Sequence, residues 1–176
     1  GIDAEHINAV DVALECEKNG ADCVYVHGRT REQLYSGSSD PTVIAAVKAA
    51  LKIPVVANGD VTDAASATAL LEKTGADGVM VARGAMGNPW IFSEIAAALE
   101  HRPYTPPTAD ERLSLIKEHI AVHIAEKGER ALPELRKHLS WYIHGLPGSA
   151  AARAEINKAT TGQELYSLLA RVFLPQ

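Results

Sequence analysis

The stretch "DGVMVARGAMGNPWIF" (residues 77–92) contains a short apolar run that ends at an arginine followed by a glycine. An earlier stretch, "GADCVYVHGRT" (residues 20–30), has the same layout, and its apolar run ends at His27-Gly28. Between them, "IPVVANGD" (residues 53–60) ends at Asn58-Gly59. Three buried-looking strands that each end in a polar residue next to a glycine indicate a binding site as well as a fold.

Helical patterns alternate with these three strands, which we predict over residues 23–27, 53–58 and 78–82. The predicted helices cover residues 4–19, 42–52, 63–74 and, from Asn88-Pro89, about 88–100. Strands and helices that alternate through short connections require a parallel sheet with right-handed crossovers. The first part of the chain therefore reads as α/β, with strands apolar on both faces as in a sheet covered on both sides.

A proline-rich segment, "HRPYTPP" (residues 101–107), ends the α/β pattern. We place a domain boundary there, between residues 1–103 and 104–176. Beyond it the sequence predicts four amphipathic helices with short loops, and two of them begin at capping boxes, Thr108-x-x-Glu111 and Thr161-x-x-Glu164. Such a pattern is typical of a small four-helix bundle. Trp141 and Tyr142 are expected in its core.

The composition is that of an ordinary globular protein, with 47% hydrophobic and 22% charged residues and a net charge of −5. Residues 1–100 contain 7 Lys and Arg against 14 Asp and Glu, whereas residues 101–176 contain 10 against 8. Only two cysteines are present, and we predict that both are inert core thiols in a reducing, cytoplasmic setting. No apolar run is long enough to span a bilayer. The start at Gly1 suggests a piece of a longer protein.

The polar groups at the strand ends are the candidate site, because parallel α/β sheets bind ligands at the carboxyl ends of their strands. Gly59 and Gly84 would let a ligand approach the backbone, and Arg83 would supply a fixed cation for a phosphate. A purely structural role remains open for each of these residues. His27 can be a structural histidine, Asn58-Gly59-Asp60 an ordinary turn, and Arg83 the partner of an aspartate.

No metal site is predicted. His119 and His123 lie one helical turn apart, but no carboxylate pattern of the His-Glu-x-x-His kind accompanies them. We expect both histidines on a solvated helix face.

Four motifs together resemble a known enzyme family over nearly the whole chain, from about residue 3 onward. They are "VHGRTREQLYSG" (26–37), "IPVVANGDV" (53–61), "TGADGVMVARGAMGNPWIF" (74–92) and "LRKHLSWYIHGLPG" (135–148). In this order and spacing they are similar to the C-terminal part of bacterial tRNA-dihydrouridine synthases, most of all the B subfamily.

The resemblance implies a flavin-dependent (β/α)₈ TIM barrel followed by a helical tRNA-binding domain. It implies an enzyme that uses FMN and NADPH to reduce the 5,6 double bond of particular uridines in tRNA. The residues it assigns to FMN are His27, Asn58, Gly59, Asp60, Ala82, Arg83 and Gly84. Those it offers as tRNA contacts are Arg29, Arg136, Lys137 and His138.

Two family features are missing from the sequence: a catalytic cysteine in an Asn-x-Gly-Cys-Pro-like loop, and a flavin-binding lysine on an earlier strand. We therefore expect about three of the eight βα units, no catalytic residue in this chain, and no activity of the chain alone. An incomplete barrel would expose apolar surface and self-associate. Two alternatives remain: another phosphate-binding flavoprotein, similar to dihydroorotate dehydrogenases, and a non-catalytic RNA-binding module.

Overall fold

The computed structural model describes residues 1–174. The chain divides into two compact units. The first unit contains Gly1–Ala85 and Ile91–Tyr104. The second contains Met86–Trp90 and the chain from Thr105 onward. The short segment 86–90 therefore belongs with the helical unit, although it is flanked on both sides by residues of the α/β unit.

The first unit is an α/β structure, as the sequence predicts. Its three strands are β1 (Val24–His27), β2 (Val55–Asn58) and β3 (Gly78–Met80), all parallel and in the order β1-β2-β3. Its four helices are α1 (Ala9–Lys18), α2 (Pro41–Ala50), α3 (Ala64–Thr74) and α4 (Ile91–Leu99).

The ends of α2 and α3 follow from their local sequence. The Asp40 side chain accepts a hydrogen bond from the Thr42 N–H, with Pro41 in the first turn. Asp63 caps α3 in the same way, accepting from the Ser66 N–H. Gly75 ends α3 in the left-handed conformation, with φ of 64°.

Several predicted boundaries are wrong by two or more residues, among them the start of β2, which is Val55, and the end of α2, which is Ala50. Helix α1 begins at Ala9 and not at residue 4, because the Asp3 carboxylate accepts the N–H groups of Glu5 and His6 and forms a separate turn. Strand β3 ends at Met80, and the chain then makes a 3₁₀ turn over Arg83–Ala85. The last helix of this unit begins at Ile91, three residues later than predicted.

The helices cover one face of the sheet. Alternate strand residues pack with the helices in one apolar core, and they are Val24, Val26, Val55, Ala57 and Val79. The other face is open in this unit: Tyr25 is 66% exposed and Met80 is 42% exposed. This open face is the exposed apolar surface expected of an incomplete barrel, and the second cover expected for strands apolar on both faces is missing from this unit.

The second unit contains four helices after segment 86–90. They are α5 (Ala109–Lys127), α6 (Leu132–Tyr142), α7 (Ser149–Ile156) and α8 (Gly162–Phe173), and a 3₁₀ turn over Glu129–Ala131 precedes α6. All four contribute to one apolar core, whose fully buried members include Ile116, Leu135, Leu139, Ile143, Ile156, Leu165 and Leu169.

The predicted helix caps of this unit are found at both sites, with one difference. Thr108 and Glu111 form a reciprocal capping box at the start of α5. At α8, Thr161 accepts from the Glu164 N–H, but the Glu164 carboxylate accepts from the N–H of Thr160 instead of Thr161.

Several predicted burial assignments are wrong. Trp141 is 39% exposed, because it lies on the side of α6 opposite Leu135 and Leu139. His123, expected on a solvated face, is buried, and its Nε2 lies 3.2 Å from the Ala131 carbonyl oxygen. Cys16 is exposed and not a core thiol. Over residues 1–174, none of the helices has both the length and the apolar character that crossing a membrane requires.

Candidate functional site

Strands β1 and β2 end side by side and bring two predicted site residues together. His27 is in register with Asn58, which in turn is in register with Met80. The His27 Nδ1 lies 3.1 Å from the Asn58 carbonyl oxygen, and the Asn58 amide donates to the Met80 carbonyl at 2.9 Å. Because side chains alternate along a strand, both residues belong to the sheet face that bears Tyr25, the open face.

An ion pair links the loop after β1 to the end of β2. Arg29 Nη2 donates to both carboxylate oxygens of Asp60, at 2.8 and 2.7 Å, and to the Gly37 carbonyl at 2.9 Å. The Arg29 side chain is only 3% exposed. The sequence offers Arg29 as a tRNA contact, whereas in the structure its guanidinium lies buried against Asp60.

Asp60 is held as a carboxylate by several donors. The Ser39 N–H donates to it at 2.8 Å, and this hydrogen bond is the largest cause that lowers the pKa of Asp60. Hydrogen bonding and charge from Arg29, and the charge of Arg83, lower the pKa further, while partial burial opposes them. Its backbone is left-handed, with φ of 54°, a conformation that aspartate tolerates better than most residues.

Arg83 presents the accessible cation of this edge. Its Nη2 lies 3.8 Å from an Asp60 oxygen, and its Cζ lies 4.8 Å from the centre of the Tyr35 ring. The Arg83 side chain is 57% exposed. Ala82 precedes it and is also exposed, and Gly84 follows in the 3₁₀ turn. One carboxylate shared by two guanidinium groups leaves a net positive charge here.

The two glycines of the site are required by the protein's own packing. A Cβ on Gly59, whose φ is 137°, would overlap the Ser39 side chain and lie 3.3 Å from His27 Nδ1. A Cβ on Gly84 would overlap the Val61 carbonyl oxygen. Access of a ligand to their backbone therefore stays a prediction, because packing alone explains why these positions have no side chain.

The donor set at this edge fits a phosphate. Arg29 Nη1 and Ser39 Oγ are buried and have no hydrogen-bond partner within residues 1–174. Together with the exposed Arg83 guanidinium, they provide hydrogen-bond donors and positive charge of the kind that phosphate oxygens accept. Of the residues that the resemblance assigns to FMN, Arg83 is thus the one that supplies charge suited to the phosphate end.

The three basic residues predicted on α6 have different environments. Arg136 Nη2 donates to the Ala159 carbonyl at 2.6 Å, so this side chain connects α6 to the segment after α7. The His138 ring is partly buried, 5.9 Å from the His119 ring. Of the three, Lys137 is the exposed residue.

Two contributors to the first-unit site were missed by sequence reasoning. Tyr35, which sequence reasoning did not place at the site, is 74% exposed and lies beneath the Arg83 guanidinium. Ser39 supplies the N–H that holds Asp60. Both belong to the Gly- and Ser-rich loop after β1, whose conformation no local pattern specifies.

A model of the dihydrouridine synthase (Dus) family matches residues 1–174. The chain belongs to the dihydrouridine synthase family. Three relatives illustrate the similarity, and each is described as a probable tRNA-dihydrouridine synthase. The protein of Mycobacterium leprae (strain TN) is 40% identical over 175 residues, covering 98% of this chain and 46% of its own length.

The other two relatives give a similar comparison. That of Rickettsia bellii (strain RML369-C) is 46% identical over 159 residues, covering 89% of this chain and 49% of its own. The protein of Rhodobacter capsulatus is 42% identical over 175 residues, covering 98% of this chain and 53% of its own length. The predicted resemblance is confirmed at the level of the Dus family. The chain spans about half the length of these relatives, and the B-subfamily assignment stays a prediction.

Proposed function

We propose that this chain forms part of a tRNA-dihydrouridine synthase, in which it contributes to FMN binding and to tRNA binding. The observation that carries the proposal is the Dus family match over residues 1–174. The cluster at the strand ends supports it, because His27, Asn58, Asp60 and Arg83 are brought to one edge of the sheet by β1, β2 and the turn after β3.

The site residues have distinct proposed roles. Arg83 binds the phosphate of FMN, with the backbone of Ala82 and Gly84 beside it. Asp60 positions Arg83, whose Nη2 lies 3.8 Å from an Asp60 carboxylate oxygen, and it neutralises the buried Arg29. His27 and Asn58 contact the cofactor from the open sheet face. FMN, when bound, would supply a hydride taken from NADPH to one carbon of the 5,6 double bond of uracil, and the proton for the other carbon would come from the catalytic cysteine that this sequence lacks.

The open sheet face supports a further part of the proposal, that the first unit is about three βα units of a (β/α)₈ barrel. In a barrel, this face would point to the interior and be covered by the remaining strands. Alone, the chain exposes Tyr25 and Met80 there. We propose that the 176-residue chain self-associates through this face and does not turn over substrate alone.

The helical unit is proposed to bind tRNA, in the cytoplasm where that substrate is found. Its sequence region has a small excess of basic residues, and nucleic-acid backbones are recognised chiefly by positive charge. The target uridine must leave its stack before a buried cofactor can reduce it. The alternative of a dihydroorotate-dehydrogenase-like protein is less well supported, because the Dus match extends through the helical unit.

The test is the formation of dihydrouridine. Unmodified tRNA is incubated with the full-length protein, FMN and NADPH, and digested nucleosides are measured by mass spectrometry. We expect dihydrouridine that depends on NADPH and falls strongly in Arg83→Ala. Absence of dihydrouridine with the full-length protein would contradict the proposed function. Its formation by the 176-residue chain alone would contradict only the proposed inactivity, and a monomer at high concentration in sedimentation would contradict self-association.

A further inference from the structure

A groove in the helical unit is lined by residues of α6 and α7 and has a volume of about 390 Å³. This volume is within the range of small-molecule sites, about 300–1,000 Å³. Lys137, Ser140, Trp141 and His144 line it from α6 and the turn that follows, and Arg153 and Asn157 from α7 and its end.

The aromatic residues of the groove are accessible. Trp141 is 39% exposed, whereas the fully buried core residues of the same helix, Leu135 and Leu139, are 0% exposed. The rings of Trp141 and His144 are 6.2 Å apart and inclined by only 31°. Lys137 and Trp141 are four residues apart and so lie on one face of α6, and His144 follows in the turn after the helix.

The charge of the groove is positive. Lys137 and Arg153 line it, and no aspartate or glutamate does. Neither cation forms an ion pair with any residue from 1 to 174. By contrast, Lys127 and Lys158 in the same unit are paired with Glu134 and Glu155. Two unpaired cations next to an exposed indole are the combination that single-stranded nucleic acid binds.

We propose that this groove binds one unstacked nucleotide of single-stranded RNA, with the base on Trp141 and its phosphate between Lys137 and Arg153. Asn157 supplies hydrogen bonds to the base or the ribose, and the Ser140 hydroxyl, which donates to the Arg136 carbonyl at 2.9 Å, accepts one. The proposal rests on the proposed tRNA partner and makes it specific. It moves the RNA contact of α6 from Arg136, whose guanidinium donates to the Ala159 carbonyl, to Lys137 and Trp141.

RNA fits the groove better than an acidic protein segment does. A carboxylate-rich peptide would satisfy the two cations but would leave the indole face without a planar partner. An RNA nucleotide supplies both an anion and a π-face, and unpaired bases of RNA loops commonly stack on aromatic side chains.

The experiment uses the whole chain and a short oligouridine as the probe. The chain has two tryptophans, so Trp90→Phe leaves Trp141 as the only one. We expect saturable quenching of its fluorescence by the oligonucleotide. In anisotropy titrations with a labelled oligonucleotide, Trp141→Ala should weaken binding by about 5- to 150-fold, as expected for the loss of one stacked base. Trp141→Phe should restore most of it.

The two cations are tested by salt dependence. Lys137→Gln and Arg153→Gln should each weaken binding, and combined they should lower the slope of log affinity against log salt by about 0.7, the value for the one phosphate that the two residues share. Lys158→Gln is the matched control, because Lys158 lies in the same unit, is paired with Glu155 and does not line the groove. This control should bind oligouridine with wild-type affinity and with the wild-type dependence on salt.

The outcomes separate this inference from the proposed function. If Trp141→Ala and both cation variants bind oligouridine with wild-type affinity, the proposal that this groove binds RNA is overturned. This holds even if the full-length protein forms dihydrouridine. Equal quenching by a polyglutamate peptide would overturn the assignment to RNA. Binding at the groove by a protein that forms no dihydrouridine would support the groove and contradict the proposed function.

Discussion

The Asp60 carboxylate accepts two hydrogen bonds from the buried guanidinium of Arg29, at 2.7 and 2.8 Å. The Arg29 side chain is 3% exposed and that of Asp60 is 41% exposed. Asp60 therefore connects a buried cation to the surface, where Arg83 lies 3.8 Å from it. The loop after β1 and the end of β2 are fixed to each other by this pair.

Asp60→Asn should lower the free energy of unfolding by about 1–3 kcal/mol, the cost of leaving a buried donor poorly satisfied. Asparagine tolerates the left-handed backbone, so the loss reports the charge and not backbone strain. Urea denaturation measures it. Asp11→Asn is the control, because Asp11 is exposed on α1, and it should change stability by less than about 0.5 kcal/mol. If the two variants are equally stable, the ion pair of Arg29 with Asp60 contributes nothing to the free energy of unfolding.

Arg83→Ala should weaken FMN binding by about 10- to 150-fold, from the loss of one charge-assisted hydrogen bond to phosphate. Riboflavin, which has no phosphate, should bind the variant and the wild type alike. Flavin fluorescence titrations of the full-length protein measure both. Arg31→Ala, at an exposed position of the loop after β1, is the control. An equal loss for both flavins would place Arg83 against another part of the cofactor.

Acidification should destabilise the helical unit through His119. Burial, followed by the charges of His138 and His123, lowers the pKa of His119. Its folded-state pKa is thus below the unfolded value of about 6.5. The unfolded chain binds more protons below that pH, so the stability present above pH 6.5 falls as the pH drops toward the folded pKa.

The measurement is thermal unfolding followed by tryptophan fluorescence, since Trp90 and Trp141 both belong to the helical unit. The midpoint should decline between pH 7.5 and 5.5 in the wild type. His119→Gln should decline less, whereas His6→Gln, at a 71% exposed side chain, should follow the wild type. Parallel curves for all three proteins would exclude His119 as the cause.

Gly162→Ala should destabilise the helical unit by about 1–3 kcal/mol, because it inserts a methyl group into a filled core. A Cβ there would lie 2.6 Å from Ile124 Cδ1 and 2.9 Å from Ile120 Cγ2. Ile124→Val removes that Cδ1 and should recover part of the loss when it is combined with Gly162→Ala. Urea denaturation of both single variants and the double variant tests this. Strictly additive effects would contradict the contact.

The α/β alternation was predictable from sequence because its signals are local. Asp40 and Asp63 cap their helices, Gly75 ends one, and each strand is a short run of apolar residues. The partnership of His27 with Asn58 also followed from the rule that parallel strands end at one edge. The caps and strand ends need only the residues within a few positions along the chain, and the topology rule supplies the pairing of strands that are distant in sequence.

The remainder depended on contacts between residues distant in sequence. Arg29 and Asp60 are thirty-one positions apart, and nothing near Arg29 indicates that its guanidinium turns inward. The same is true of Arg136 and the Ala159 carbonyl. On α6, the stripe of leucines predicted an inner face but did not place Trp141 on the outer one. Charge type alone therefore identified candidates without separating buried cations from accessible ones.

Segment Met86–Trp90 has a practical consequence for dissecting the chain. A Cβ on Gly87 would overlap the backbone at Trp141, and the Trp90 ring packs edge-on against Tyr142 at 6.5 Å. A polypeptide that begins at residue 105 therefore lacks part of the helical unit. A polypeptide that ends at residue 104 still contains residues 86–90, which belong to the helical unit and not to the α/β unit. No single cut separates the two units, so a polypeptide that starts at residue 105 lacks the packing of Gly87 and Trp90 that the helical unit has in the whole chain.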